Sequence, residues 1–341
     1  MKPIRIAQVG VGHAHADATF IAMQRMPEWF EIIGVSETDP ARMEQVRKAP
    51  YDKTPFYTVE ELLEMQDLDA VAVESEEKLD TDVAQIFVER GIPVHMDKPG
   101  APDLPSFRKL IQTAKEKNVP LQLGYMYRYN PLIADAVKRA QSGELGEIFS
   151  VEAQMSVHHP LWLRTWLQDY PGGMTYFLGC HLVDLILQIQ GMPEKITAVN
   201  KSTGEDGLTT QDVCFAMFEY PRGVSFLKSS SMEYNGFDRR QLVICGTKGT
   251  IELRPLEIHH PGPTKMLAPV YTTGKVTLPA DENNPFMNDH SLPCASPVVD
   301  RYMPMMEEFA KMAAGEVINP YTPDYELMLF ETVMKCCGIE G

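Results

Sequence analysis

The chain has 341 residues, enough for two domains with separate cores. Its 44% hydrophobic and 23% charged residues are ordinary for a globular protein, whereas a formal net charge of −16 argues against nucleic acid, which requires a basic face, and disfavours an anionic membrane surface. No apolar run reaches the ~18 residues needed to span a bilayer, and MKPIRIAQVG enters a strand without a secretory h-region, so a cytoplasmic protein is expected.

The first third alternates short apolar runs with amphipathic stretches. Strands are predicted at Ile4–Val9, Phe30–Val35, Ala70–Val73, Ile92–Met96 and Leu121–Gly124. Helices are predicted at His13–Met26, about Pro40–Arg47, after the capping-box pattern Thr58-Val59-Glu60-Glu61, about Asp82–Arg90, and Leu104–Lys117. Strands alternating with helices imply a parallel sheet with right-handed crossovers. Fully apolar runs such as AVAV fit burial on both faces.

Beyond residue 124 the pattern changes. A helix is expected at Leu132–Ser142, followed by period-two runs in FSVEAQMSV, DVCFAMFEY, VSFLKSSSM, QLVICGT and TIELRPL, which read as a mostly antiparallel sheet. An apolar helix is expected at about Leu178–Ile189. Pro261–Pro297 reads as an extended, proline-rich excursion, and helices near Val298–Ala314 and Tyr325–Cys336 close the chain. The expected architecture is α/β: a Rossmann domain over 1–123, then an α+β domain over 124–341 with a large open, mostly antiparallel sheet. The six cysteines (180, 214, 245, 294, 336, 337) include no Cys-x-x-Cys pair and are expected as free, mostly buried thiols.

The first chemical signal is Gly10-Val11-Gly12-His13-Ala14-His15 after a strand. Gly10 suits the tight turn, and Gly12 lets the backbone approach a pyrophosphate facing a helix N-terminus. His15 stands where a small residue is usual. His13 and His15 are placed to reach the pyrophosphate, with surface imidazoles as the alternative. Glu37 ends the second strand, where an acid grips ribose hydroxyls and repels a 2′-phosphate. NAD is therefore expected ahead of NADP, with Arg42 nearby as the opposing feature. The second signal is Asp97-Lys98-Pro99 at the carboxyl end of a strand, where open α/β sheets bind ligands.

In this order, Gly-x-Gly, the strand-end acid, Asp-Lys-Pro, Gly-Tyr-Met-Tyr-Arg-Tyr-Asn-Pro (124–131) and Gly-Gly-x6-Cys-His-x2-Asp (172–184) resemble the Gfo/Idh/MocA family, which includes glucose-fructose oxidoreductase and inositol dehydrogenases. The resemblance implies a Rossmann domain plus an open-sheet domain that often pairs subunits, hence a homodimer or homotetramer. It implies an NAD-dependent dehydrogenase acting on a sugar or polyol, with Lys98 and His181 sharing proton transfer. Hydride removal from a carbinol needs a group to take the hydroxyl proton.

Glu74, Ser75, Glu76, Asp97 and Arg128 join Gly10, Gly12, His13, Ala14, His15, Glu37 and Lys98 as expected cofactor contacts. Arg164, Trp166, Phe177, His181 and Lys98 are expected at the substrate. Asp184, one turn beyond His181, could orient its imidazole.

The departures are specific. Phe177 stands where the family commonly has Asp, Glu76 and Asp80 replace a proline and a histidine, and Met126 replaces an asparagine. The alternatives are a cofactor-binding regulator without turnover and an NAD-assisted glycoside-cleaving enzyme. His158, His159, Cys180 and His181 have irregular spacing, and no metal is expected.

Overall fold

The computed structural model describes residues 2–101, 103–265, 267–279 and 289–339. The chain divides into two compact units: Met1–Met126 with Thr264–Leu267 and Asp300–Phe330, and Tyr127–Pro263 with Ala268–Val299 and Glu331–Gly341. The sequence reading had a single boundary at 123/124; here the segment Asp300–Phe330 belongs to the first unit.

The first unit is built on five parallel strands, β1 (Ile4–Val9), β2 (Phe30–Ser36), β3 (Ala70–Val73), β4 (Val94–Met96) and β5 (Leu121–Leu123), in the order β2-β1-β3-β4-β5. All four residues of β3 are buried, as its unbroken apolar run requires of a central strand. The crossovers carry α1 (Ala16–Gln24), α2 (Val59–Glu64), α3 (Asp80–Glu89) and α4 (Leu104–Lys117). Thr58 and Glu61 form the expected reciprocal capping box. The helix expected at Pro40–Arg47 is only a 3-10 turn, Pro40–Arg42. Val46 is the sole buried side chain between Pro40 and Ala49, so no apolar face sustains a longer helix. Helix α1 starts at Ala16, not His13, which leaves His13–His15 in the turn.

In the second unit, α5 (Pro131–Gln141) precedes β6 (Ile148–Ser156), and α6 (Leu161–Trp166) leads through a π-helical turn, Thr175–Gly179, into α7 (Cys180–Gln190). The remaining strands are β7 (Lys195–Lys201), β8 (Val213–Tyr220), β9 (Gly223–Ser230), β10 (Gln241–Gly246), β11 (Gly249–Leu253), the short pair β12 (Ile258–His259) and β13 (Val270–Tyr271), then β14 (Thr273–Pro279) and β15 (Asp289–Ala295). Seven of these and β6 form one eight-stranded sheet, β15-β14-β11-β10-β6-β9-β8-β7, antiparallel throughout except β6–β9. The expected fold class is thus observed. The region read as an extended excursion instead supplies β14 and β15, paired from Thr273–Ala295 to Pro279–Asp289. Helices α8 (Met303–Ala313) and α9 (Pro323–Cys336) end the chain, with α8 packed beside α1 in the first unit. Among the described residues no helix is long and apolar enough to cross a membrane.

Candidate functional site

The glycine turn is held by its neighbours' polar groups. Gly10 has φ +94, and a Cβ there would lie 2.4 Å from the Ser75 backbone, so only glycine fits. The N–H groups of Gly12 and His13 donate to the Glu74 carbonyl at 3.1 and 3.0 Å, laying the turn over the end of β3. A Cβ on Gly12 would meet Arg42 Nε and the Glu76 N–H, each at 2.9 Å. The missing side chain lets Arg42 and the Glu76 backbone lie against the turn. Arg42 is fixed beside it by Glu76 Oε2 at 2.8 Å.

Glu37, 7% exposed, accepts N–H bonds from Val11 (2.8 Å), Thr38 (2.7 Å) and Asp39 (2.8 Å). A carboxylate offers about four acceptor positions, so one is left for a hydroxyl. The turn, Arg42 and Glu37 therefore fit a dinucleotide.

Beside this turn lies a feature the sequence did not announce: titratable groups from three segments converge in the interior. Asp97 Oδ2 stands 2.7 Å from His13 Nδ1 and 2.6 Å from His15 Nδ1. His13 Nε2 lies 3.1 Å from Glu77 Oε1, while Glu74 approaches both His13 (3.7 Å) and His95 (3.8 Å). Asp80, at the first turn of α3, is also buried. Gly124 makes room for Asp97, since a Cβ there would sit 2.7 Å from Asp97 Oδ1. The surface-imidazole alternative is thereby overturned for His13, which is 4% exposed.

The electrostatics follow from burial and from charge. Burial, then the Asp97 charge, pushes the Glu74 carboxyl up to about 8, and burial likewise raises Asp80 well above its ordinary range. Asp97 moves the other way: burial opposes its charge, but His13 and His15 together hold it well below the usual carboxylate range. His13 is raised well above its ordinary value because the charges of Asp97 and Glu77 outweigh burial. His15 is lowered to about 4, chiefly by burial, with His13 and Lys98 adding repulsion. His95 is lowered by burial, its Nδ1 engaging Gln122 Oε1 at 2.8 Å.

Lys98 follows Asp97 at the end of β4 and is 1% exposed. Its backbone N–H donates to Asp97 Oδ1 at 2.6 Å. A lysine so buried is uncommon unless its charge is used. Among the expected cofactor contacts, the structure thus gathers Gly10, Gly12, His13, His15, Glu37, Glu74, Ser75, Glu76, Asp97 and Lys98 at the carboxyl ends of β1 to β4.

The second unit holds the other expected residues. His181, 2% exposed, is the second residue of α7, immediately after the π-helical turn that contains Phe177. Its ring centroid is 5.4 Å from that of Tyr127, whose hydroxyl donates to Glu257 Oε2 at 3.1 Å. Phe177 packs against Trp166 (5.6 Å) and His159 (5.7 Å), an aromatic cluster where an acid is usual in the family. Arg164 is buried, pairs with Asp206, and donates to the His159 carbonyl at 3.3 Å.

Arg128, read as a cofactor contact, is buried in a forked pair with Asp184. Asp184, considered as a support for His181, takes that fork and the Gln188 side-chain N–H at 2.8 Å.

Comparisons with known proteins agree with this frame. Residues 4–125 match the oxidoreductase family described as an NAD-binding Rossmann fold, and residues 133–252 match the GFO/IDH/MocA C-terminal domain. D-xylose 1-dehydrogenase (NADP(+)) 2 of Haloferax volcanii is 26% identical over 66% of this chain and 68% of its own length. Inositol 2-dehydrogenase of Corynebacterium glutamicum is 26% identical over 43% of this chain and 44% of its own. An oxidoreductase from Thermotoga maritima shares the fold with TM-score 0.76 at 22% identity, over 98% of this chain and 96% of that one. Carrying both domains in order, the chain belongs to the GFO/IDH/MocA family of oxidoreductases.

Proposed function

We propose that this oxidoreductase uses NAD to interconvert a secondary alcohol and a ketone on a sugar, an inositol or a related polyol. The observation that carries the reading is Lys98, buried at the end of β4 beside the glycine turn. The names of the xylose and inositol dehydrogenases to which the chain is similar support the substrate class. When bound, the dinucleotide supplies a hydride acceptor. Gly10, Gly12, Ala14, Ser75 and Arg42 would hold its pyrophosphate end, and Glu37 would take a ribose hydroxyl with its remaining acceptor position. That last contact supports NAD over NADP, although the Haloferax relative is named for NADP(+).

Lys98 is the proposed group that takes and returns the hydroxyl proton, and His181 is the proton-transfer residue proposed within the second unit. Arg164 and Trp166 are proposed substrate contacts, with Phe177 as an apolar wall in place of an acid. Subunits are proposed to pair through the open sheet, where Val199, Val213, Phe215 and Val224 are exposed.

The test is NAD reduction across a polyol and sugar panel, with calorimetric binding of NAD and NADP. One or more substrates should be turned over, and Lys98→Ala should lower kcat by about 10²–10⁴-fold while the variant still binds NAD. Unchanged turnover in Lys98→Ala would reject the assignment. NAD binding without turnover would favour a regulator, and glycoside cleavage on retained NAD without net NADH would favour the hydrolytic alternative.

A further inference from the structure

We propose that His13 Nδ1, His15 Nδ1 and Asp97 Oδ2 bind a divalent first-row transition-metal ion. Their ligand atoms all lie within 4.8 Å of one another, and the site is buried apart from partial access at His15. Two imidazoles and one carboxylate are a donor set suited to zinc, iron or nickel. No metal was expected from the sequence, because these groups come from two segments more than eighty residues apart.

Asp97 Oδ2 already stands between the two imidazoles, 2.7 Å from His13 Nδ1 and 2.6 Å from His15 Nδ1, so the three donor atoms converge on one point.

His13 has the second shell such a ligand needs. Its Nε2 is directed to Glu77, 3.1 Å away, which would leave Nδ1 free as the donor to metal. Glu74 and Asp80 are buried around the same point. Ligands about 2.1 Å from an ion stand ~3.0 Å apart at right angles and ~3.4 Å apart in a tetrahedron, so seating one opens the 2.6–2.7 Å contacts by roughly 0.3–0.8 Å. Tyr302 packs beside His15, with ring centroids 5.7 Å apart.

The test uses the full chain, stripped with a chelator and then incubated with Zn²⁺, Mn²⁺ or Co²⁺. Elemental analysis after gel filtration should find about one ion per chain, and Co²⁺ should give a visible d–d absorption band. His15→Ala and Asp97→Asn should each weaken binding by about 100-fold or more, and Glu77→Gln by about tenfold, with native circular dichroism checked for each.

A stripped native chain that takes up no ion overturns the proposal, whatever the variants do. Uptake that persists equally in His15→Ala and Asp97→Asn also overturns it, because the ion then sits elsewhere. NAD binding is a separate measurement, so the cofactor reading and the metal site can fail independently.

Discussion

The guanidinium of Arg128 grips the carboxylate of Asp184 through two bonds, Nε to Oδ2 at 3.0 Å and Nη2 to Oδ1 at 2.9 Å, with both side chains out of solvent. Fork-to-fork geometry of this kind makes the pair directional as well as charged. Removing one partner strands the other charge in the interior. Arg128→Met should therefore cost about 3–5 kcal/mol, and adding Asp184→Leu should recover most of the loss. Urea unfolding midpoints of the two variants check this. A small effect in the single variant would mean that Asp184 finds another cation.

Gly12→Ala probes the turn itself. The new Cβ would press on Arg42 Nε and the Glu76 N–H, each at 2.9 Å, and would occupy the space proposed for the pyrophosphate. NAD affinity should fall by about tenfold or more, near 1.4 kcal/mol, with the fold retained. Calorimetry showing undiminished affinity would move the dinucleotide away from this turn.

Phe177→Asp would restore the residue type common in the family at this position. In this chain it would place a carboxylate, 4% exposed, against Trp166 and His159. The loss of aromatic packing together with a buried charge should destabilise the protein by about 3–5 kcal/mol, without a gain in turnover. Thermal unfolding and the substrate panel read the two effects separately.

The thiols give a pH prediction. Burial pushes Cys336 up to about 12 and raises Cys214 and Cys337 as well, whereas an unfolded thiol ionises near 9. Between those values the native state holds protons that the unfolded state has released. Stability should thus be unaffected by these groups below pH 9 and should fall, by a few kcal/mol in order of magnitude, as pH rises toward 12. At pH 8 a thiol reagent should label Cys245 and Cys294 first, since the other four are buried. Rapid modification of all six would contradict the buried assignment.

Much of the first unit was legible because its strands are short apolar runs punctuated by caps: AVAV and the Thr58 capping box each carry a local signal. Strand β7 was missed because Lys195–Lys201 alternates half-buried with exposed residues at a sheet edge, and its polar positions hid the pattern. Strands β14 and β15 were missed because prolines 279 and 293 read as loop.

The site was legible as a set of positions and not as a geometry. Gly10, Glu37 and Lys98 mark the ends of strands that a parallel sheet must bring together. By contrast, the partners of His13 are set by contacts across β3 and β4, and carboxylates such as Glu77 and Asp80 look like solvated loop residues until the fold buries them. Arg128 has one role as a motif letter and another once Asp184 is seen beside it.

Pro293 has a further consequence. It lies in β15, the outermost strand on its side of the eight-stranded sheet, opposite Lys275 of β14. A prolyl nitrogen carries no hydrogen, and it is tolerated in a strand where that nitrogen faces away from the neighbouring strand. The outer margin of β15 therefore lacks a donor that any incoming ninth strand would need at that position. On this side the ladder is finished chemically, and the margin is guarded against the edge-to-edge stacking that leads from a folded sheet to an aggregate.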